Sequence, residues 1–397
     1  MRNSFFTNLP PLKRVHWFRL LLLWLAGIDL RLTLLAVPPL LPAIHRTLNL
    51  DEKAVAILTG LPVLLLAVAA TLGALITARF DARRALIFGL LVIGVSSGLR
   101  GAGHAAIVLF GTTFVMGVGV AVSQPAFPSL VYEWFPDRIG LATAVYTNGL
   151  LSGEVLSTAL TTPVVMPAVG ESWALAFSFW ALPVVLTGLL FAAATRPLAK
   201  RGGDTLRAWW PDFSDGQTWR LGLIQGGTSI IYFGANTFMP DYLNAQGHAR
   251  LVAPVLAMLS AGQLPASILI ALFPRQLTGR LQPLRVTAVL TLAGLALFLA
   301  SSGVWGIVGA VILGFCSSFA FVLCLALPPI QAKNPDDVHR VSAGMFTIGY
   351  SLAFFLPLLG GTLWDISSVA ATCFAPVALG GLLILASTRG LRTTRQR

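Results

Sequence analysis

A chain of 397 residues that is 56% hydrophobic, only 11% charged and of mean hydropathy +0.80 reads as a polytopic helical membrane protein, since soluble domains carry about 25% charged residues. Its apolar runs are continuous and of membrane-spanning length, which excludes the alternating pattern of a β-barrel. A formal charge of +12 would suggest nucleic acid in a soluble protein; here the basic residues sit in short loops between apolar runs, so the expected partner is the lipid bilayer and no nucleic acid.

Twelve spans are predicted, at residues 17–44, 54–78, 84–101, 105–132, 139–165, 172–195, 219–243, 251–275, 284–302, 304–331, 340–364 and 368–389. Lys13, Arg14 and Arg19 precede a run too long for a signal peptide and without a cleavage site, so it is read as a retained first span. That span contains Trp24–Pro42, WLAGIDLRLTLLAVPPLLP, with Asp29 and Arg31 near its middle and Pro38, Pro39 and Pro42 at its end. A charge at the bilayer centre costs from about 3 kcal/mol on insertion scales to over ~10 in simulations, so such residues face a bundle interior or a watery cavity. Residues two apart on a helix are rotated by about 200°, so Asp29 and Arg31 cannot face one point. Arg31 is expected to face a central cavity and contact the transported species, its planar fork suiting carboxylate-like partners. The alternative is a structural ion pair with Glu154 or Asp29.

Span four carries Gln124, with Pro125 and Pro128 expected to bend it. Span five carries Tyr146, Asn148 and Glu154. Buried alone, Glu154 suits a proton-coupling site; paired with Arg31, it would only hold helices together. Asp29 is a second coupling candidate, with a structural hydrogen bond as its alternative. Span seven carries Gln225 and, one turn apart, Tyr232 and Asn236. Gln263 in span eight and Tyr350 in span eleven complete the polar set. Such groups in apolar pockets orient small ligands, and otherwise join helices. Gly149-x-x-x-Gly153 and Gly222-x-x-x-Gly226 are expected packing surfaces. Arg79, Asp81, Arg83 and Arg84 form a cluster in the loop before span three.

The only long connection, Arg196–Thr218, holds a Gly pair and Trp209-Trp210 and divides six spans from six. The expected organisation is a bundle at 1–195, a cytoplasmic linker at 196–218 and a bundle at 219–397. An even span count puts both termini on one side. That side holds 22 Lys and Arg against 4 on the other, Arg100 being counted among the latter, so both termini are expected in the cytoplasm. The halves repeat weakly at an offset near 200: Pro42 with Pro240, Pro62 with Pro265, Pro136-Asp137 with Pro335-Asp336, Gly149 with Gly349. At that offset Arg31 matches Ser229, so only the first half carries the buried cation.

Cys316, Cys324 and Cys373 all fall in apolar runs and make neither a disulfide framework nor a metal spacing. No Ser-x-x-Lys, His-Glu-x-x-His or phosphate-loop motif occurs, so neither an enzyme nor a cofactor is expected, and transport must draw on a gradient.

Asp29-Leu30-Arg31-Leu32 followed by Pro38-Pro39-Leu40-Leu41-Pro42 parallels a first-span pattern of Asn-x-Arg-Pro and Gly-Pro-Leu-Leu-Pro. Leu61-Pro62-Val63, Arg79-Phe80 with Arg83-Arg84-Ala85-Leu86, Leu99-Arg100, Ala181-Leu182-Pro183 and Gly361-x-x-x-Asp365 fit the same pattern. The loop is a degraded Gly-x-x-x-Asp-Arg-x-Gly-Arg-Arg signature that keeps Gly73 and the arginines while Thr77 replaces the acid. On these residues the chain resembles the major facilitator superfamily over nearly its whole length, and within it the branch of cyanate permeases and 2-nitroimidazole transporters. Asp29, Leu32 and Glu154 depart from that branch, which has Asn, Pro and a small residue there.

The resemblance implies an all-α membrane protein of twelve transmembrane helices in two pseudo-symmetric six-helix bundles that rock about a central site. It implies proton-coupled uptake of a small anion or small polar organic solute by a monomer in the inner membrane, with the basic loop as a cytoplasmic latch. Export of small xenobiotics and a non-transporting ligand sensor are the alternatives.

Overall fold

Without water to satisfy it, a backbone inside a bilayer closes its hydrogen bonds within helices, and every element among the described residues is helical. The computed structural model describes residues 13–48, 81–102, 105–196, 210–301, 303–332 and 335–391, with scattered positions between 58 and 79. Ten helical segments are long and apolar enough to span a membrane, from Arg14–Leu41 to Ala370–Gly390. Each overlaps an expected span. An eleventh, Gly216–Ala245, is 30 residues long and made more polar by Arg220, Gln225, Asn236 and Asp241. Most of span two, including Pro62 and Thr77, lies outside the described residues, as do 197–209 of the expected linker and 392–397 of the expected C-terminal tail.

Several spans are broken where proline chemistry dictates. In span one, a helix at Arg14–Leu32 gives way to a turn over residues 33–36, and a new helix runs Val37–Leu48. Pro38 and Pro39 fit there because the first turn of a helix needs no backbone donor. Span four breaks at Gln124-Pro125, between Ala106–Ser123 and Ala126–Trp134. Span five runs Ile139–Leu160 and then widens into a π turn at Thr161–Val165, around Pro163.

The same crossing builds both halves. Span one packs on span five through Gly27, Gly149 and Gly153. A Cβ on Gly149 or Gly153 would collide with the Trp24 or Ile28 carbonyl oxygen. Span seven (Gly216–Ala245) packs on span eleven (Pro335–Ser367) through Gly222, Gly226 and Gly349, where a Cβ on Gly222 would lie 2.5 Å from that of Ile348. The expected Gly149–Gly349 correspondence is therefore a shared close helix crossing, against backbone at Gly149 and chiefly against the Gln225 side chain at Gly349.

A second correspondence closes each bundle. Arg83, at the start of span three (Ala82–Leu99), donates to the Ala192 carbonyl at 2.7 Å and to the Thr195 carbonyl at 2.8 Å. These residues end span six (Trp173–Ala194). Arg285, at the start of span nine (Leu281–Ala300), donates to Thr388 Oγ1 at 3.2 Å and to its carbonyl at 3.3 Å, at the end of span twelve (Ala370–Gly390). Asp81 caps span three by accepting from the Arg84 N–H at 2.8 Å and pairs with its side chain at 3.5 Å; Arg79 is exposed.

Arg100 is placed differently from its expected loop position. It is wholly buried, so the charge bias between the two sides rests on 22 residues against 3. Past the linker, Arg340 of span eleven donates to Asp212 at 3.1 Å. Asp212 also accepts from the Ser214 hydroxyl; that bond, and then the Arg340 charge, hold its carboxyl below the ordinary aspartate range.

Candidate functional site: a small cavity between the halves

The halves meet through spans four and five on one side and spans eight, ten and eleven on the other. Between them lies a cavity of about 40 Å³. A water needs about 10–15 Å³ by the same kind of measure, so there is room for a few waters or a group of similar size. The first half contributes Arg31, Leu150, Leu151 and Glu154. The second contributes Thr228, Ser229, Tyr232 and Phe233 of span seven, Gln263 of span eight, and Ser317, Ser318 and Phe321 of span ten (Val304–Gln331).

Arg31 reaches this cavity because it sits in the last turn of its helix, two residues before the break at Thr33. Its side chain forms neither an ion pair nor a hydrogen bond with any described residue, unlike Arg84, paired with Asp81, and Arg340, paired with Asp212. Glu154 lines the same cavity without pairing with Arg31. Its carboxylate accepts a short hydrogen bond from the Tyr232 hydroxyl, so span five of one half is tied to span seven of the other. Gln263 and Ser260 flank the same hydroxyl. Asp29 points away: it is buried beside Thr187 of span six, and its Oδ2 has no hydrogen-bond partner.

The remaining candidates lie outside the cavity lining. Asn148, two turns toward the termini side of span five from Glu154, accepts from Trp24 Nε1 at 3.0 Å and donates to Ser267 Oγ of span eight at 3.0 Å. Gln124 donates to the Tyr350 hydroxyl at 3.4 Å. Tyr146 stacks on Phe127 with ring centroids 4.8 Å apart, its hydroxyl without a partner. Asn236 is exposed, and Gln225 donates to Ser229 Oγ at 3.3 Å. Gly140, at the termini-side end of span five, abuts Pro274 and Thr278. Hydrogen bonds that join the halves include Tyr232–Glu154, Asn148–Ser267 and Gln124–Tyr350.

Ser317 and Ser318 were not anticipated as lining residues; their signal is a hydroxyl pair inside an otherwise apolar helix. Ser229 was visible only as the repeat partner of Arg31, and the structure sets both on one cavity. Gly94-Val95-Ser96-Ser97-Gly98 has the spacing of a hydrolase nucleophile elbow. Ser96 instead lies within a membrane helix with its hydroxyl bonded to the Val92 carbonyl, so it is no nucleophile.

Two helical bundles that close on a cavity lined by Arg31 and Glu154 have the architecture of a membrane solute carrier. The sequence model of the Major Facilitator Superfamily matches residues 20–357, and the chain belongs to that family. It is 28% identical over 372 residues to the cyanate transport protein CynX of Escherichia coli (strain K12), covering 92% of this chain and 95% of that protein. It is 25% identical over 360 residues to the 2-nitroimidazole transporter of the same organism, covering 89% and 90%. In fold it is similar to FucP, a major facilitator transporter solved in the outward conformation, with TM-score 0.75 at 13% identity, covering 96% of this chain and 100% of that one. The chain is thus a multi-pass membrane transporter of the major facilitator fold, with relatives in the cyanate and nitroimidazole branch.

Proposed function

We propose that this transporter takes up a small anion, or a small polar organic solute of similar size, across the cytoplasmic membrane by proton-coupled alternating access. Arg31 is the electrostatic anchor and Glu154 the coupling carboxylate. The observation that carries this reading is a guanidinium that, among the described residues, has no carboxylate partner and faces a cavity of about 40 Å³ shared with a carboxylate held from the opposite half. Arg31 is half-buried, and a cation at membrane depth without a counter-ion is costly unless an anion completes it. Pockets for drug-sized ligands run to about 300 Å³ or more, so the size favours a few-atom solute. The name of the cyanate relative agrees with that chemistry.

The basic bias of the termini side supports cytoplasmic termini. With the halves joined at the cavity and toward the termini, the reading is an outward-facing state in which the latch of Arg79, Asp81, Arg83 and Arg84 belongs to the cytoplasmic face. The test is uptake and counterflow in proteoliposomes with cyanate, nitrate, formate and 2-nitroimidazole, wild type beside Arg31→Ala. Counterflow of one small anion, abolished by Arg31→Ala, is the expected result. If both proteins move only 2-nitroimidazole, the anion reading falls and export becomes the function. If ligand binds without exchange of label, the protein is a sensor.

A further inference from the structure

We propose that Arg100 is a positioning residue for Arg31: it braces the break in span one that aims the Arg31 side chain into the cavity. The inference rests on the reading of Arg31 as substrate anchor and adds a second arginine to it.

Arg100 ends span three and is 0% exposed, yet no described carboxylate pairs with it. Its guanidinium sits where four spans converge. Nη1 donates to the Thr33 carbonyl of span one at 2.8 Å, and Nη2 lies 2.8 Å from Met116 Sδ of span four. The guanidinium carbon stands 4.8 Å over the ring of Phe177 in span six. Thr33 Oγ1 donates to the same Met116 sulfur at 3.6 Å, so the Thr33 hydroxyl and the Arg100 guanidinium converge on one thioether.

What this arrangement satisfies is specific. The helix carrying Arg31 ends at Leu32, and the turn over residues 33–36 leaves carbonyls without their usual donors four residues on. The Thr33 carbonyl would look to the Val37 N–H, beyond the break, and Pro38 and Pro39 supply no N–H to the Leu34 and Leu35 carbonyls. Among the described residues, the backbone bond that reaches across the end of the helix is Leu35 N–H to the Arg31 carbonyl, at 3.0 Å. An unmet carbonyl inside the membrane costs several kcal/mol, and a charged donor is the strongest single group that can meet it. If packing alone were needed, methionine would fill the site at lower cost than a buried guanidinium. The brace acts two residues from Arg31, so loosening it turns Arg31 about the helix axis and away from the cavity.

The test uses the full-length protein in nanodiscs, comparing wild type, Arg100→Met, Arg100→Lys, Arg31→Ala and the Arg31→Ala/Arg100→Met double variant. Hydrogen exchange reads the backbone of residues 31–37, and cyanate binding reads the site. Arg100→Met is expected to speed exchange in that segment roughly tenfold, the scale of one lost hydrogen bond to a charged group, and to leave the other spans unchanged. It should weaken cyanate binding about tenfold in the wild-type background and not at all in the Arg31→Ala background. Arg100→Lys, which retains a cationic donor, should recover part of both. Should Arg100→Met fail to insert, Arg100→Gln carries the same comparison.

Unchanged exchange at residues 31–37, or a loss of binding that adds in full to that of Arg31→Ala, overturns the proposal. If wild type binds no cyanate while exchange still responds to Arg100→Met, the brace stands and the anion reading falls.

Discussion

Tyr232 on span seven donates its hydroxyl proton to the carboxylate of Glu154 on span five, and this bond crosses from one half of the molecule to the other at the cavity. Protonating or freeing Glu154 therefore changes a contact between the halves as well as a charge beside Arg31. Glu154→Gln keeps an acceptor for Tyr232 and removes the titration. Counterflow of the small anion should persist in that variant, while accumulation driven by an inside-alkaline gradient should disappear. Gradient-driven accumulation at the wild-type level in Glu154→Gln would remove Glu154 from coupling. Tyr232→Phe should weaken accumulation less, because the carboxylate remains.

Arg31 has no ion pair or hydrogen bond to lose among the described residues, so Arg31→Ala should disturb folding little and binding strongly. Removal of a charged partner from a desolvated pair costs roughly 2–5 kcal/mol, or at least about thirtyfold in affinity by the usual conversion. Arg31→Lys should restore only part, since an ammonium cannot offer the bidentate fork. Equilibrium binding of cyanate to detergent-purified protein, with a thermal unfolding curve for each variant, separates the two effects.

On the termini side of the cavity, Asn148 links Trp24 and Ser267. Asn148→Leu and Ser267→Ala should each release the halves there by about 1 kcal/mol, the net worth of one hydrogen bond. Spin labels placed near Gly140 and Thr278, which abut in this structure, should report a larger share of long distances in both variants. An unchanged distance distribution would assign closure to the other contacts.

Where spans one and five cross, a side chain on Gly153 would strike the Ile28 carbonyl. Gly153→Val should destabilise the first half by more than the 1–3 kcal/mol or so typical of overpacking, because the obstacle is backbone. Gly111, with open space around it, is the control: Gly111→Val should express and unfold like wild type.

Asp212 gives the predicted pH response outside the membrane. Its carboxyl is held low by Ser214 and then by Arg340, so the contact contributes fully above the ordinary aspartate value near ~3.9. It is lost only as pH falls through the lowered value. Between pH 5 and 8 the docking of residues 210–215 onto span eleven should stay constant, and Asp212→Asn should shift the thermal midpoint little, as expected of an exposed pair worth about 0–1 kcal/mol. Limited proteolysis of residues 210–215 across that pH range checks both.

Much of this was readable from residue order because the bilayer imposes simple rules. Span positions followed from apolar length, the opposed directions of Asp29 and Arg31 from helical pitch, and the breaks in spans one and four from their prolines. The glycine crossings were visible as spacing and became meaningful once their carbonyl neighbours were seen. The cavity's composition was less legible. Tyr232, Gln263 and Glu154 line it, whereas Asn148, Gln124, Tyr146 and Tyr350 do not, although all are polar groups in apolar spans. Which side of a helix meets the opposite half depends on how two bundles dock, and no local pattern carries that information. Arg100 was misplaced for a related reason: a cation at the end of a span looks like a loop charge until the neighbouring carbonyl and ring are known.

The clasps made by Arg83 and Arg285 bear on how the molecule can be assembled. Each fastens the start of a half's third helix to the end of its sixth, so each bundle is tied within itself by contacts that lie outside residues 197–209. A gene divided within residues 197–209 should therefore yield two polypeptides that insert separately and reunite in the bilayer into a working carrier. A gene divided between spans three and six should not, since one fragment would carry an arginine and the other the carbonyls that it needs.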